Sequence, residues 1–154
     1  MVLIDQFIKF IVVKNMQLSE SIPILEDVLH ITYVLNDGAA FSFMSGQAWL
    51  LCGVTSLIMI VLFFVLFSKK ITHPLALWSL GLIIGGGIGN LIDRFFRGDK
   101  LFFGRVVDYV DFRIINFAVF NFADCCVVIG TILISVYLLF FDDSSKKSIG
   151  DSNE

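Results

Sequence analysis

Three aspartates stand where an apolar chain should not carry them. Asp93 closes the run GGGIGNLIDR (residues 85–94), Asp124 opens FNFADCCVVIG (120–130), and Asp108 lies between them in RVVDYVDF (105–112). An ionisable group at the end of a membrane-length apolar run is costly, so its default reading is a functional site. Two carboxylates that share one proton supply an acid and a base together. One takes a proton from water while the other protonates or polarises a carbonyl under attack, and their repulsion and partial burial push the two pKa values apart. The chemistry that fits is hydrolysis with water as nucleophile. Other chemistries lack their parts. No nucleophilic Ser or Cys comes with a histidine base, no His/Cys/carboxylate set has metal-ligand spacing, and no phosphate loop ends in GK[ST]. Neither a metal nor a cofactor is expected.

The neighbours of these aspartates are also polar. Asn90, Asp93 and Arg94 stand at i, i+3 and i+4, on one helical face. Asn121 and Asp124 are likewise i and i+3. Asn121 suits a helix N-cap, which would put Asp124 in the first turn, beside the positive end of the helix dipole, where charge is favoured. The bland alternative is that these are ordinary caps, with Asp93 and Arg94 a surface pair. Two such clusters with a third aspartate between them weigh against it. Gly81, Gly85 and Gly89 recur every four residues and read as a stripe for close helix packing.

These residues must be positioned by membrane elements. The chain has 154 residues, 57% hydrophobic and only 16% charged, with a mean hydropathy of +0.88. Soluble domains are typically about 45–50% apolar and about 25% charged. The excess lies in three charge-free runs, residues 48–67, 74–92 and 125–141, each close to the ~20 residues that cross a bilayer. Residues 1–13 are apolar but carry Asp5 and Lys9. They lack a basic start and a small-residue cleavage site, so they read as a first spanning helix whose leading end is missing or very short. The expectation is an all-α membrane protein with four transmembrane helices, a single domain over residues 1–141. A polar, Ser-rich tail at 142–154 is expected to be disordered. Between the helices, residues 24–34 suit strands and NDG at 36–38 signals a turn. Pro74 suits the first turn of the third helix, and residues 93–121 read as a long loop. Phe95, Phe96, Phe102 and Phe103 in that loop suit either an interface beside lipid or simple packing. Trp49 and Trp78 fall near helix ends, as interfacial belts do. Cys52, Cys125 and Cys126 read as small buried apolar residues. The net charge of −3, without a basic tract, argues against a nucleic-acid partner.

Parity then gathers the polar residues. If four helices span, Asn36, the Asn90–Asp93–Arg94 end, Asp108 and the Asn121–Asp124 start all face one membrane surface, while His30 and His73 fall on opposite sides. Basic residues do not decide which surface it is: Lys69, Lys70, Lys146 and Lys147 stand against Arg94, Arg97, Lys100, Arg105 and Arg113. The first loop on the polar side has acids but no Lys or Arg after Lys14, which leans outward. Two rival classes remain. A transporter needs polar groups along a path to both faces, and the far halves of the helices offer little beyond Thr55, Ser56, Thr131 and Ser135. A scaffold would tolerate neutral replacements at Asp108 and Asp124.

Five segments in order, DQFIK (5–9), NDGAAFS (36–42), GNLIDR (89–94), VVDYVDF (106–112) and FNFADCCVVIG (120–130), resemble the lipoprotein signal peptidases, the signal peptidase II family. The likeness covers nearly the whole chain apart from the tail, with a longer segment between Arg94 and Asp108 than the family pattern has. It implies an intramembrane aspartyl endopeptidase of the bacterial cytoplasmic (inner) membrane, which cuts the signal peptide from diacylglyceryl-modified prolipoproteins just before the lipidated cysteine. Its partners would be those lipid-modified substrates and membrane lipids. The resemblance puts the catalytic pair at Asp108 and Asp124. Asn36, Asn90, Asp93, Arg94 and Asn121 fall on supporting polar positions, and Asp5 and Lys9 on the polar pair of the first helix. It also implies a small extracytoplasmic β-sheet and an active site near the extracytoplasmic face.

Overall fold

The structure is a computed structural model that describes residues 1–38, 48–98 and 100–142. In chain order it runs α1 (Val2–Asn15), β1 (Ser21–Leu25), β2 (Leu29–Asn36), α2 (Ala48–Phe67), α3 (Pro74–Phe96), β3 (Val106–Phe112), a 3₁₀ turn (Arg113–Ile115) and α4 (Phe122–Phe140). Among the described residues three helices are long and apolar enough to cross a membrane, over Trp49–Phe67, Pro74–Phe96 and Phe122–Phe140. The chain is a membrane protein. The second helix coincides with its charge-free run, because no charge interrupts it. The third runs beyond its own and carries Asp93 and Arg94 in its last turns. Pro74 opens α3 after His73, where its missing N–H costs nothing.

The first helix is the exception in length. Its 14 residues span about 21 Å at ~1.5 Å per residue, short of the ~30 Å hydrocarbon core. Its polarity is inverted relative to a helix in water. Leu3 is 85% exposed and Phe7 63%, while Asp5 and Lys9 are buried. Apolar side chains outward and charged ones inward is the arrangement lipid favours.

Strands β1, β2 and β3 form one antiparallel sheet in that order. The β1–β2 hairpin turns through residues 26–28, where Asp27 takes φ +58°, a left-handed conformation that Asp tolerates. The long loop expected over residues 93–121 is only partly a loop: α3 runs to Phe96 and Val106–Phe112 is a strand. Its alternating β-branched and aromatic residues pair with β2, Val34 opposite Asp108 and Asn36 opposite Val106. Four successive β3 residues, Val106 to Tyr109, are buried, so both faces of the strand are covered. Val107 and Tyr109 pack with Val12 of α1 and Tyr33 of β2, which leaves Asp108 facing the other way. Phe95 and Phe96 belong to the last turn of α3 rather than to a loop. Phe95 meets the Phe102 ring at 4.8 Å and packs on the Cys52, Met59 and Leu91 cluster that joins α2 to α3.

The glycine stripe is also redistributed. A Cβ on Gly81 would meet nothing, one on Gly85 would meet the Met1 side chain, and one on Gly89 would lie 2.6 Å from Asp5 Oδ2 and 3.3 Å from Ala123 Cβ, so the stripe admits α1 along its last two members. The α3–α4 contact runs instead through Gly86, where a Cβ would strike the Ala123 carbonyl, and through Gly130 of α4, where it would lie 2.8 Å from the Ser79 carbonyl oxygen. Residues 39–42 of the NDGAAFS segment and the tail from 143 onward lie outside the described residues.

Candidate functional site

Helix α4 begins with a reciprocal cap. The Asp124 N–H donates to Asn121 Oδ1 at 3.0 Å, and the Asn121 N–H donates to Asp124 Oδ2 at 3.1 Å. Two orphan donors of the first turn are thereby satisfied. This leaves Asp124 Oδ1 free to face inward, where it accepts Asn90 Nδ2 of α3 at 2.7 Å. It also leaves Asn121 Nδ2 free, and this donates to Asp108 Oδ1 at 2.6 Å. The second Asp108 oxygen accepts Asn36 Nδ2, from the end of β2, at 2.8 Å. A helix terminus and a strand therefore bring the two aspartates to one place, each held by amide donors.

The amide orientations follow from the network. Asn36 Oδ1 accepts the Gly38 N–H at 2.8 Å, so its nitrogen must face Asp108. Asn121 Oδ1 is occupied by the Asp124 N–H, with the same result. Asn90 Oδ1 accepts Asn121 Nδ2 at 3.1 Å and Lys9 Nζ at 2.8 Å, so its nitrogen faces Asp124.

Behind this layer lies a buried ionic cluster. Lys9 Nζ, wholly buried, reaches Asp5 Oδ2 at 2.9 Å and Asp93 Oδ2 at 2.8 Å. Asp5 Oδ1 accepts the Ala123 N–H at 3.2 Å, tying α1 to the start of α4. Asp93 Oδ1 pairs with Arg97 Nε at 2.7 Å, and Oδ2 accepts the Val107 N–H at 3.2 Å, tying α3 to β3. Buried charges survive when they are paired and hydrogen-bonded in this way.

The pairing of Asp93 with Arg94 suggested by their adjacency does not occur. Neighbours in sequence point about 100° apart around a helix, whereas i and i+4 share a face, so Asp93 takes Arg97. Arg94 instead points toward Gly38, and its buried Nη1 has no hydrogen-bond partner among the described residues. Sequence reasoning missed three contributors. Arg97 was legible as Asp93's i+4 neighbour. Gln6 donates to Asp93 Oδ1 at 3.2 Å and to the Gly89 carbonyl at 3.0 Å. The Tyr109 hydroxyl accepts the Phe122 N–H at 3.1 Å. No sequence signal marked the last two.

Asn36, Asp108 and Asp124 line a cavity of about 730 Å³ whose other walls are apolar, among them Val34, Phe117, Cys125, Val128 and Ile129. Val128 and Ile129 are half exposed on the outer face of α4, so the cavity continues onto a lipid-facing surface. Cys125, read as a small buried residue, is a cavity wall. Burial pushes the Asp108 carboxyl up to about 6, with the charge of Asp124 adding to the rise and the amides of Asn36 and Asn121 opposing it. Two carboxylates in one apolar cavity, one with a raised proton affinity, can divide the roles of base and acid. Eight of the nine polar residues singled out from sequence join this single network. The ninth, Arg94, stands at its margin.

Comparison with known proteins bears on the whole chain. The family profile described as signal peptidase (SPase) II matches residues 1–140. A lipoprotein signal peptidase of Halothermothrix orenii is 46% identical over 89% of this chain and 88% of its own length. One from Clostridioides difficile is 41% identical over 93% and 92%. Two solved structures, each described as a bacterial membrane enzyme determined by the in meso method, share the fold. The first has a TM-score of 0.80 at 34% identity, covering 95% of this chain and 85% of that one. The second has a TM-score of 0.78 at 33% identity, covering 92% and 88%. With the profile matched from end to end of its membrane region, the chain belongs to the signal peptidase II family.

Proposed function

We propose that this chain is an intramembrane aspartyl endopeptidase that removes the signal peptide from diacylglyceryl-modified prolipoproteins, cutting just before the lipidated cysteine. The observation that carries the reading is that Asp108 and Asp124 line the same otherwise apolar cavity. Asp124, in the first turn of α4, removes a proton from water as the water oxygen attacks the scissile carbonyl carbon. Asp108, whose burial favours the protonated form, gives its proton to the carbonyl oxygen. Collapse of the resulting gem-diol breaks the C–N bond, with the amine nitrogen taking a proton from the pair. Asn36, Asn90 and Asn121 hold the carboxylates, Lys9 bonds Asn90 and is itself paired with Asp5 and Asp93, and Arg94 serves the substrate side. The acyl chains stay in the bilayer along Val128 and Ile129.

In this reading α1 is a fourth span, short and tilted, which its inverted polarity supports. The sheet and the site lie at the extracytoplasmic face of the bacterial inner membrane, and the partners are lipid-modified precursors and membrane lipids. The test is incubation of the purified protein with a diacylglyceryl-modified prolipoprotein, reading cleavage by gel shift. Turnover should require the lipid, because each buried methylene contributes about 0.8 kcal/mol to anchoring, and should persist unchanged in EDTA. Equal rates on the unmodified precursor, or inhibition by EDTA that zinc reverses, would refute it.

A further inference from the structure

Lys9 touches neither Asp108 nor Asp124 in the hydrogen-bond network, yet it is wholly buried beside them. Its three N–H bonds have three acceptors: Asp5 Oδ2, Asp93 Oδ2 and Asn90 Oδ1. The first two are counter-ions. The third is a neutral amide, and its orientation bears on the carboxylate pair.

An asparagine amide can be turned over with little change of shape, and only its partners decide which end points where. Asn36 and Asn121 are fixed by backbone N–H groups of their own turns, Gly38 and Asp124. Asn90 has no such local lock. It lies inside α3, where backbone N–H groups are used up by the helix itself. Its oxygen is held from outside, by the ammonium of Lys9 and by Asn121 Nδ2. Turning the amide over would set NH₂ against an ammonium and against another NH₂. It would also set a carbonyl oxygen against Asp124 Oδ1. An ammonium has no acceptor to offer, so the wrong orientation is excluded.

We propose that Lys9 is a positioning residue for this reaction: it fixes the Asn90 amide so that its N–H bond is permanently delivered to Asp124, which keeps Asp124 the base of the pair. The inference rests on the reading of Asp108 and Asp124 as the reacting groups. It acts by orientation more than by field. Lys9 and Arg97 are offset by Asp5 and Asp93 within the same cluster, so the cluster carries no net charge. Among the described residues Arg94 of α3 also acts on the pair, the Cys125 thiol of α4 faces Asp124, and the Tyr109 hydroxyl of β3 is occupied by the Phe122 N–H.

A double-mutant cycle tests it. Lys9→Met, Asn90→Ala and the double variant are purified, checked for folding by thermal unfolding in detergent, and assayed for cleavage from pH 4 to 9. Losing a donor makes the ionised carboxylate less favoured, so the acid limb of kcat/KM should move up by about one pH unit, with about a tenfold loss of kcat/KM below the limb. Lys9→Met also takes a cation from Asp5 and Asp93, so it should move the limb at least as far as Asn90→Ala, and part of its shift should vanish in the Asn90→Ala background because that part runs through the amide. Should Lys9→Met fail to fold, Lys9→Gln replaces it. That variant keeps a donor at its tip, so its smaller shift should again vanish in part in the Asn90→Ala background. An unmoved limb in the Lys9 variant, or a shift that adds in full to that of Asn90→Ala, would make Lys9 merely structural. Cleavage by Asp124→Asn would instead remove the underlying reading, so the two failures are told apart.

Discussion

The two ends of the helical bundle satisfy their polar groups in opposite ways. At the end with the sheet, side chains reach across elements: α1 to α3 through Lys9 and Asp93, α3 to α4 through Asn90 and Asp124, and β2 and α4 to β3 through Asn36, Asn121 and Asp108. Toward the other end, hydroxyls are turned back on their own helices. Ser79 donates to the Leu75 carbonyl at 2.6 Å, Thr131 to Val127 at 2.8 Å and Ser135 to Thr131 at 2.8 Å. There the helices approach through small residues, and Phe64 and Phe67 remain largely exposed. In lipid there is no hydrophobic drive between helices. The site end therefore adds charge and amide pairing to close contact, which at Gly86 already meets the Ala123 carbonyl, while the other end relies on close contact. The first arrangement is costly to desolvate, which is why it is concentrated at the site.

If that contrast is right, the largest effect belongs to the carboxylate pair. Asp108→Asn and Asp124→Asn should each abolish cleavage while leaving the protein inserted and folded, judged by gel shift and by unfolding in detergent. Substantial turnover by either folded variant would break the assignment.

The next effect in size tests the cluster behind the pair. Asp93→Asn leaves Lys9 and Arg97 short of a counter-ion, and breaking a buried ion pair from one side costs about 3–5 kcal/mol. Thermal unfolding should show a large loss of stability. A neutral outcome would mean that water reaches this cluster and that its burial is not what holds α1 in place.

These residues also show what a sequence reveals. The second helix was legible residue for residue because an uninterrupted apolar run has only one solution in a membrane. The cap of α4 was legible because Asn at the first position and Asp three later is a local pattern with a local cause. What depended on tertiary partners was not legible. Asp108 was read into a loop because VVDYVDF becomes a strand only when β2 is alongside. Adjacency offers Asp93 the neighbouring Arg94, whereas helical geometry selects Arg97 at i+4. The glycine stripe is legible only in part: Gly85 and Gly89 do admit α1, at Met1 and Asp5, but Gly81 faces open space and the tight α3–α4 contacts at Gly86 and Gly130 depend on where α4 lies.

A smaller effect follows from the raised proton affinity of Asp108. The folded state binds this proton more tightly than the unfolded chain, with the carboxyl pushed from 3.8 to about 6. Its contribution to stability is thus fully present below about pH 4 and is lost as pH rises through about 6. Relative to Asp108→Asn, which cannot ionise, the native protein should lose unfolding temperature between pH 4 and 7. On the proposed roles, in which Asp108 enters the reaction protonated, the alkaline limb of kcat/KM should begin in the same region. Parallel stability curves for the two proteins would show that Asp108 is better solvated than its burial implies.

The smallest effect separates close packing from mere glycine content. Gly130 and Gly81 are both helical glycines, and in each case alanine should gain up to about 1 kcal/mol from intrinsic preference. At Gly81 a Cβ meets open space, so Gly81→Ala should hold or slightly raise the unfolding temperature. At Gly130 the same Cβ would lie 2.8 Å from the Ser79 carbonyl oxygen and 2.8 Å from Ile83 Cγ1. Backbone on the facing helix cannot rotate away, so α3 and α4 must separate, and overpacking of this kind costs about 1–3 kcal/mol. Gly130→Ala should therefore lower the unfolding temperature where Gly81→Ala does not. Because this contact lies away from the carboxylates, Gly130→Ala should leave the acid limb of the pH profile in place even as stability falls. A shift of that limb would mean that the packed end and the charged end are mechanically coupled through α3.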